Sequence, residues 1–313
     1  MLFKNLLYQY QIARPLNVTG DKYGIELELE GRDLPYVGDS SQWVFHEDNS
    51  LRRLPECGEF VSRPLSLKGC KAALRELQDL SIQKGTVVKH SIRTSYHVHR
   101  NVLDLHISQI ASIVTLYILL ETSLYSICGP HRKGNVFCQP INDCNGHLFE
   151  LRNFFTSCEK ASPYLYNLRD NGRKYIALNT KSMFEKGTVE FRAHEGTFDI
   201  DRILHWVTVI DRLVEYAKYH SPISIIEQVS ACNSLKSFGD EVFGDLTTGI
   251  IFDENSKWDN MSNAQIIAYG SEWNIDEFTD KPVEDDVVKV TPLYTSLEPR
   301  IPTRTFNIDA ILR

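Results

Sequence analysis

An alternating acidic stretch at residues 23–30 is the feature that most constrains how this chain can fold. Glu26, Glu28 and Glu30 alternate there with aliphatic residues. Because successive side chains of a β-strand point to opposite sides, the spacing predicts a strand with all three carboxylates on one face. Two interpretations are open at this point. The strand has one apolar face and one face in water, or the carboxylates form a row that holds Mg²⁺ or Mn²⁺ through oxygen.

The composition indicates an ordinary soluble globular protein. Hydrophobic residues make up 42% and charged residues 24% of the 313 residues, which is enough to build a core in one large domain or in two lobes. Asp and Glu number 41 against 34 Lys and Arg, so the net charge is −7. Because binding to nucleic-acid phosphates needs clustered basic residues, and the sequence contains no basic run, we expect no nucleic-acid partner.

Cysteine usage and hydropathy favour a cytoplasmic protein without a membrane partner. The seven cysteines form no CxxC pair, which argues against a disulfide framework and a zinc knuckle and predicts reduced thiols. The first residues lack the long apolar segment of a signal peptide. The longest apolar run, residues 107–127, is interrupted by polar side chains such as Glu121, so it predicts a buried helix rather than a membrane span.

Two further stretches place ligand-type residues on predicted strands. Residues 94–99 are predicted to form a strand with His97 and His99 on one face. These histidines are either hydrogen-bonded partners in a half-buried sheet or ligands for a metal or a phosphate. Residues 58–64 predict another strand, ended by a proline, with Glu59 near its start.

The last alternating stretch, residues 187–194, places Glu190, Arg192 and His194 on one predicted face. Arg192 could pair with Glu190 at the surface, where such a pair contributes little to stability. Alternatively, its planar guanidinium could hold an anionic oxygen in a site. The sequence alone leaves both roles open.

Periodic apolar residues predict the helices that cover the other side of the sheet. Helices are expected at residues 68–84, 106–127, 157–172 and 203–219, with short helices within 221–275. Residues 128–150 are predicted to be a connection in which Asn145-Gly146 forms a turn, and residues 173–179 an extended segment. Residues 276–313 show little periodicity, which predicts a tail that is partly ordered at most or that wraps the domain.

Together these stretches predict an α+β fold with a mostly antiparallel sheet. Helices would cover one face of the sheet, and Glu, His and Arg would line the other. Carboxylates with one or two histidines suit Mg²⁺ or Mn²⁺. The sequence has no GxxxxGK(S/T) loop and no GxGxxG after a strand, so a P-loop or dinucleotide fold is not expected. It also offers no Ser/His/Asp or Cys/His motif for nucleophilic catalysis.

Six short motifs occur in a fixed order along residues 22–220. They are Gly24-Ile25-Glu26-Leu27-Glu28, Asp48-Asn49-Ser50-Leu51, Glu59-Phe60-Val61-Ser62, His97-Val98-His99, Arg173-Lys174-Tyr175 with Asn179, and Thr188-Val189-Glu190-Phe191-Arg192 followed by Gly196-Thr197. This order resembles the amidoligases, a family that is related to glutamine synthetase and glutamate–cysteine ligase and is common in phages and bacteria. Two positions depart from the family pattern, because Asn49 and Tyr96 stand where the family usually has glycine.

The resemblance implies an antiparallel sheet curved around an ATP site, with the polar residues on its concave face and helices outside, as in the catalytic domain of glutamine synthetase. It implies metal ligands at Glu26, Glu28, Glu59, His97 and Glu190. It implies nucleotide contacts at His97, His99, Arg173, Lys174 and Asn179. Arg192, Glu59 and Glu190 would carry the chemistry, with Arg192 holding the transferred phosphoryl group.

The implied function is an ATP- and Mg²⁺-dependent carboxylate–amine ligase that forms an amide bond through an acyl phosphate. Its partners would be a small-molecule or peptide carboxylate and an amine. Residues 1–225 would form the catalytic domain, and residues 226–313 a C-terminal extension that is partly ordered or wraps that domain. Two other classes stay open: a metal-dependent phosphoesterase with the same ligands, and a non-catalytic structural or interaction protein that retains the fold.

Overall fold

A seven-stranded sheet organises the computed structural model, which describes residues 1–10, 18–48, 51, 56–89, 91–156 and 174–272. Its strands are β1 (Tyr23–Arg32), β2 (Trp43–His46), β3 (Glu56–Ser62), β4 (Val87–Lys89), β5 (Tyr96–Asn101), β6 (Leu178–Asn179) and β7 (Thr188–Phe191). They lie in the order β2-β3-β1-β5-β7-β6, and β4 also pairs with β1. Each of these strand pairs is antiparallel, so the acidic strand β1 lies inside the sheet between β3 and β5.

Helices make up most of the remaining described residues. They are α1 (Phe3–Gln9), α2 (Leu67–Lys84), α3 (Ile107–Cys128), α4 (Asn145–Thr156), α5 (Lys181–Lys186), α6 (Ile200–Tyr219), α7 (Pro222–Ala231), α8 (Leu235–Phe243) and α9 (Glu254–Glu272). Local chemistry sets several of their ends. The Ser66 side chain accepts a hydrogen bond from the Gly69 N–H and begins α2, while Gly85, at a φ of 72°, ends it. Asp199 caps α6 in the same way as Ser66 caps α2.

The apolar face of the sheet packs against α2, α3 and α6. Trp43 Nε1 of β2 donates to the Ala73 carbonyl of α2 at 2.8 Å. The Tyr117 ring of α3 lies 5.7 Å from the Phe191 ring of β7. The aliphatic residues of β1 are buried in the same core. The predicted α+β class with a mostly antiparallel sheet and helices is therefore confirmed, and the sheet is open.

Helix α3 is long and apolar enough to cross a membrane, yet 83% of its most apolar 18-residue stretch is buried inside the protein. It packs against α6, α7 and α9. This environment is typical of the core helix of a soluble protein. The buried helix predicted at residues 106–127 is confirmed.

Two local predictions are wrong. Asn145-Gly146 was predicted to form a turn but begins α4, because the apolar residues that follow give the segment a buried helical face. The extended segment predicted at residues 173–179 is shorter among the described residues. Residues 174–175 form a 3-10 turn, and only β6 pairs as a strand.

The chain continues after α6 with α7, α8 and α9, in agreement with the helices predicted within residues 221–275. Helix α9 packs along α3 and α4. The domain boundary predicted at residue 225 stays a prediction. The helix predicted at residues 157–172 and the tail predicted at residues 276–313 lie outside the described residues.

Candidate metal and active site

The strand register brings the predicted ligands onto one face of the sheet. Glu26 of β1 lies opposite His97 of β5, and His99 of β5 lies opposite Glu190 of β7. On the other side of β1, Glu28 lies opposite Glu59 of β3. Directly opposed residues of antiparallel strands project their side chains to the same side. Four separate sequence motifs therefore form one continuous polar surface.

Three of the carboxylates on this surface are buried. Glu26 and Glu28 are each 6% exposed, and Glu190 is 3% exposed. The interpretation of β1 as a strand with one face in water is therefore wrong. Burial of a carboxylate is costly unless cations or hydrogen-bond donors surround it. The contacts of each acid show how this cost is offset.

Glu26 is surrounded by three nitrogen groups. His97 Nδ1 lies 3.2 Å from Oε2, and His99 Nε2 lies 3.0 Å from Oε1. The Lys186 ammonium lies 2.6 Å from the same Oε1. Burial alone would raise the pKa of Glu26, but the neighbouring imidazoles of His99 and His97 and the Lys186 ammonium hold that pKa well below its usual range.

Glu190 is held by an amide and a guanidinium. Asn179 Nδ2 donates to Oε2 at 2.6 Å, and Arg192 donates to Oε1. His97 Nδ1 lies 3.3 Å from that Oε1. Burial opposes ionisation of Glu190, but the charges of Arg192, His99 and His97 lower its pKa to about 2. Glu190 is thus ionised at neutral pH and is shared between the histidines and Arg192.

Glu59 behaves in the opposite way. Burial, followed by the charges of Glu26 and Glu28, raises the pKa of Glu59 to about 8. A negative charge on Glu59 would add to those of Glu26 and Glu28. It is disfavoured because, among the described residues, only Lys186 and Arg192 bring positive charge to these acids. A divalent cation at this position would favour ionised Glu59.

Two overlapping groups of side chains have metal-ligand spacing. One consists of Glu26, His99 and Glu190, and the other of Glu26, Glu59 and His97. Within each group the ligand atoms lie within 4.8 Å of one another. Glu26 belongs to both groups, so it is the residue on which any bound cation would depend most.

The imidazole of His99 provides an independent test of whether these groups fit a metal. Its Nδ1 lies 2.9 Å from the Thr188 hydroxyl. Its Nε2 is buried and has no hydrogen-bond partner among the described residues, although carboxylate oxygens of Glu26 and Glu190 lie 3.0 Å and 3.8 Å away. One ring nitrogen fixed by a hydrogen bond and the other free beside carboxylates is the arrangement of a metal-binding histidine. The donor set fits a hard divalent cation.

Sequence reasoning missed Ser95, which lies beside the predicted ligands. Its backbone N–H and its hydroxyl both donate to Glu28 Oε2, and its hydroxyl oxygen lies 2.8 Å from His97 Nε2. Ser95 precedes His97 by two residues, so the alternation that identified the histidines also contained this signal. Ser95 is 2% exposed and donates its proton to Glu28, which suits orientation of that carboxylate and not nucleophilic attack.

Lys186, the last residue of α5, was also missed. Although burial lowers it, the charges of Glu26 and Glu190 raise the pKa of Lys186 above its usual value. No periodic signal in the sequence points to this residue, because it reaches the site from a helix end. Only the folded chain brings it to Glu26.

Of three other predicted positions, one is exposed, one lies outside the described residues and one lies in the core. Lys174 is exposed and its ammonium lies 4.8 Å from the centre of the Tyr175 ring, while Arg173 lies outside the described residues. His194 was predicted to share the face of Glu190, and this is wrong. Its ring packs 4.4 Å from that of Tyr96 and 5.8 Å from that of Trp206 in the core.

Arg132 explains why the alternation stops before His194. Its guanidinium is buried and donates to the carbonyls of Arg192 and Ala193 at 2.8 Å and 3.0 Å. These carbonyls accept hydrogen bonds from a side chain and not from the backbone of a neighbouring strand. The strand β7 therefore ends at Phe191. Arg192 still lies on the site face, where its NH1 is 3.3 Å from His97 Nδ1.

Comparison with known proteins agrees with this geometry. The family model described as "Putative amidoligase enzyme" matches residues 37–214, more than half of the 313 residues. No curated protein sequence matches the chain. The matched region contains Glu59, both site histidines, Glu190 and Arg192. On this match, the chain belongs to the amidoligase family.

Proposed function

We propose that this protein is an ATP-dependent ligase that joins a carboxylate to an amine, with Mg²⁺ or Mn²⁺ as its metal and an acyl phosphate as its intermediate. Membership of the amidoligase family supports amide-bond formation. The observation that carries the finer proposal is the buried cluster of carboxylates and histidines with Arg192 beside it. Such a cluster suits the transfer of a phosphoryl group between two anions.

The proposed metal ligands are those expected from the sequence, with one addition. They are Glu26, Glu28, Glu59, His97 and Glu190, joined by His99 through its free Nε2. When bound, the metal ion would neutralise negative charge between these side chains and the phosphate oxygens. Asn179 supports this set by fixing Oε2 of Glu190.

Arg192 is proposed to hold the phosphoryl group during its transfer. Its NH1 is engaged by Glu190, while its Nε is buried without a hydrogen-bond partner among the described residues. A guanidinium is planar, so a hydrogen bond to one of its nitrogens also orients the other two. Their N–H groups can then donate to an anion in a fixed direction. Glu190 would therefore orient Arg192 for an anion as well as contribute to the metal site.

The proposed reaction has two steps. A carboxylate oxygen of the substrate attacks the γ-phosphorus of ATP, the bond to ADP breaks, and an acyl phosphate and ADP result. The amine nitrogen then attacks the acyl carbon, the bond to phosphate breaks, and the amine gives up a proton as the amide forms. Neither step needs a nucleophilic serine or cysteine. The main requirement is cationic groups that offset repulsion between anions.

We also propose an architecture like that of the glutamine synthetase catalytic domain, with the polar sheet face concave around the nucleotide. Nucleotide contacts are proposed for His97, His99, Arg173, Lys174 and Asn179. A cytoplasmic location is proposed, with a small-molecule or peptide carboxylate and an amine as partners. The net charge of −7 supports the absence of a nucleic-acid partner, and the burial of α3 supports the absence of a membrane partner.

The test is ATP turnover by the full chain with Mg²⁺ and pools of carboxylates and amines, each omitted in turn. We expect ADP and phosphate to appear in equal amounts with a new amide, detected by mass spectrometry, only when both substrate classes are present. Hydrolysis of phosphoesters without an amine would indicate a phosphoesterase instead. No turnover and no rise in melting temperature with Mg²⁺–ATP would indicate a non-catalytic protein.

A further inference from the structure

Lys186 has a fixed backbone and a side chain that can move. This side chain reaches the carboxylate cluster, which consists of Glu26, Glu28, Glu59 and Glu190. The next residue, Gly187, has a φ of 72°, and its carbonyl accepts a hydrogen bond from the Val102 N–H at 3.0 Å. A side chain at Gly187 would meet the side chain of Leu103 at 2.7 Å, so the backbone there has little freedom. The Lys186 side chain is 48% exposed and can move without disturbing the core.

The Lys186 ammonium occupies the carboxylate oxygen that a metal would need. It lies 2.6 Å from Oε1 of Glu26, and the free Nε2 of His99 lies 3.0 Å from the same oxygen. Glu26 is common to both groups with metal-ligand spacing. A divalent cation and an ammonium on one oxygen repel each other, so binding of one disfavours the other.

The two cations at the cluster differ in how firmly they are held. Arg192 is 14% exposed, bonds Glu190 and extends along the buried sheet face. Lys186 has Glu26 as its one ion-pair partner within the described part of the chain. An ammonium displaced from Glu26 would stay tethered at the edge of the cluster, because its Cα is fixed. It would then be a positive charge released from its ion pair and still beside the carboxylates.

We propose that Lys186 is an exchangeable cation. In the metal-free protein it neutralises Glu26, it gives way when the divalent cation binds, and it then holds the terminal phosphate of the incoming nucleotide. The second half of this inference rests on the proposed ligase function, whereas the exchange on Glu26 does not. Lys186 would thus be both a competitor of the metal and a binding residue for ATP.

The first experiment measures Mn²⁺ binding to the full chain without nucleotide, from the electron paramagnetic resonance signal of free Mn²⁺. Lys186→Met removes the charge and keeps the apolar stem. We expect it to bind Mn²⁺ roughly tenfold more tightly than wild type, as when a competitor occupies about nine-tenths of the sites. Lys236→Met is the control, because Lys236 pairs with Asp240 on α8 and the total charge changes equally. It should match wild type.

Unchanged or weaker Mn²⁺ binding by Lys186→Met would overturn the exchange. A tightening of the same size in Lys236→Met would also overturn it, because net charge would then be the cause. Lys186→Arg should bind Mn²⁺ as weakly as wild type, since a cation on Glu26 is retained. If neither wild type nor Lys186→Met binds Mn²⁺, both the exchange and the metal site are wrong.

The second experiment measures nucleotide affinity at saturating Mn²⁺, with a non-hydrolysable ATP analogue and with ADP. Lys186→Met should bind the analogue roughly tenfold more weakly, in the direction opposite to its effect on Mn²⁺, while ADP binding changes little. An equal loss for both nucleotides, or no loss, would overturn the assignment to the terminal phosphate. Tighter Mn²⁺ binding without ATP turnover by wild type would overturn the proposed ligase and leave the exchange supported.

Discussion

Ser95 holds one oxygen of Glu28 with two donors. Its backbone N–H lies 2.9 Å from Oε2 of Glu28, and its hydroxyl donates to the same oxygen. The other oxygen, Oε1, lies 3.8 Å from His97 Nε2 and is turned toward the rest of the cluster. Ser95 thereby orients a proposed metal ligand without being one, as hydrogen-bonding partners of ligands do in metal sites.

Ser95→Ala is expected to weaken Mn²⁺ binding roughly tenfold, because loss of one such orienting hydrogen bond has effects of this order. The backbone donor remains, so the melting temperature should change little. Mn²⁺ titration and thermal unfolding measure the two effects. Ser112→Ala is a matched control, since Ser112 is buried and its hydroxyl donates to the Ser108 carbonyl within α3. Equal Mn²⁺ affinity in Ser95→Ala and wild type would contradict an orienting role.

Glu28→Gln is expected to lower ATP turnover by roughly two to three orders of magnitude, the scale for loss of one charge contact in a transition state. The change keeps the volume, and the amide oxygen can still accept from Ser95. Stability should be preserved, because one negative charge is removed from beside Glu26 and Glu59. Phosphate release and thermal unfolding are the measurements.

Glu121 provides the control for Glu28→Gln. It is a buried glutamate on α3 that accepts hydrogen bonds from the Ile141 and Asn142 N–H groups, away from the polar sheet face. Glu121→Gln places an amide next to donors, so it should lower stability and leave turnover near that of wild type. If both variants lose turnover equally, the effect of Glu28→Gln is not specific to the site.

Strand periodicity predicted most of the sheet because, in each central strand, apolar side chains face the core and polar side chains face the site. Glu26, His97 and Glu190 meet since their strands are neighbours in the sheet and share one phase. The sequence could not tell a solvated face from a buried one, because the same alternation is compatible with both. What distinguishes them is the set of partners that surround Glu26, and these come from distant parts of the chain.

The residues that were missed or misplaced depend on contacts between distant segments. Lys186 lies on a short helix, and neither the helix period nor the strand period of the sequence indicates that it contacts Glu26. The two residues are 160 positions apart along the chain. His194 follows β7, but Arg132, 61 positions away from Ala193, takes the carbonyls that would have extended the strand. Such a side-chain contact has no signature in the alternation itself. The same contact turns His194 into a core residue.

The burial of His194 predicts an acid-dependent loss of stability. Burial lowers the pKa of His194 from its usual 6.5 to about 3. Between these values the unfolded chain binds a proton that the folded chain does not, so unfolding is favoured as pH falls. The contribution of His194 is complete above pH 6.5 and decreases by about 1.4 kcal/mol per pH unit below it. From pH 6.5 to pH 5 the expected decrease is about 2 kcal/mol.

The measurement is denaturant unfolding of wild type and His194→Gln at pH 7.5 and pH 5. The variant removes the titrating group, so the stability difference between the two proteins should shrink at pH 5 by about 2 kcal/mol. His131→Gln is the control, because His131 is exposed. A constant difference between wild type and His194→Gln at both pH values would show that His194 titrates alike in the folded and unfolded states.

Arg192→Lys separates bidentate recognition from simple charge. The variant keeps one positive charge beside Glu190 but loses the planar donor set, whose Nε has no hydrogen-bond partner among the residues that the structure describes. If Arg192 holds the phosphoryl group, steady-state phosphate release at saturating Mg²⁺–ATP should fall in Arg192→Lys almost as far as in Arg192→Ala, by roughly two to three orders of magnitude. ATP binding should change less than turnover. Arg202→Lys, which alters an exposed pair with Glu195, should retain wild-type activity. Recovery by Arg192→Lys of most of the activity that Arg192→Ala loses would mean that Arg192 is only a counter-charge to Glu190.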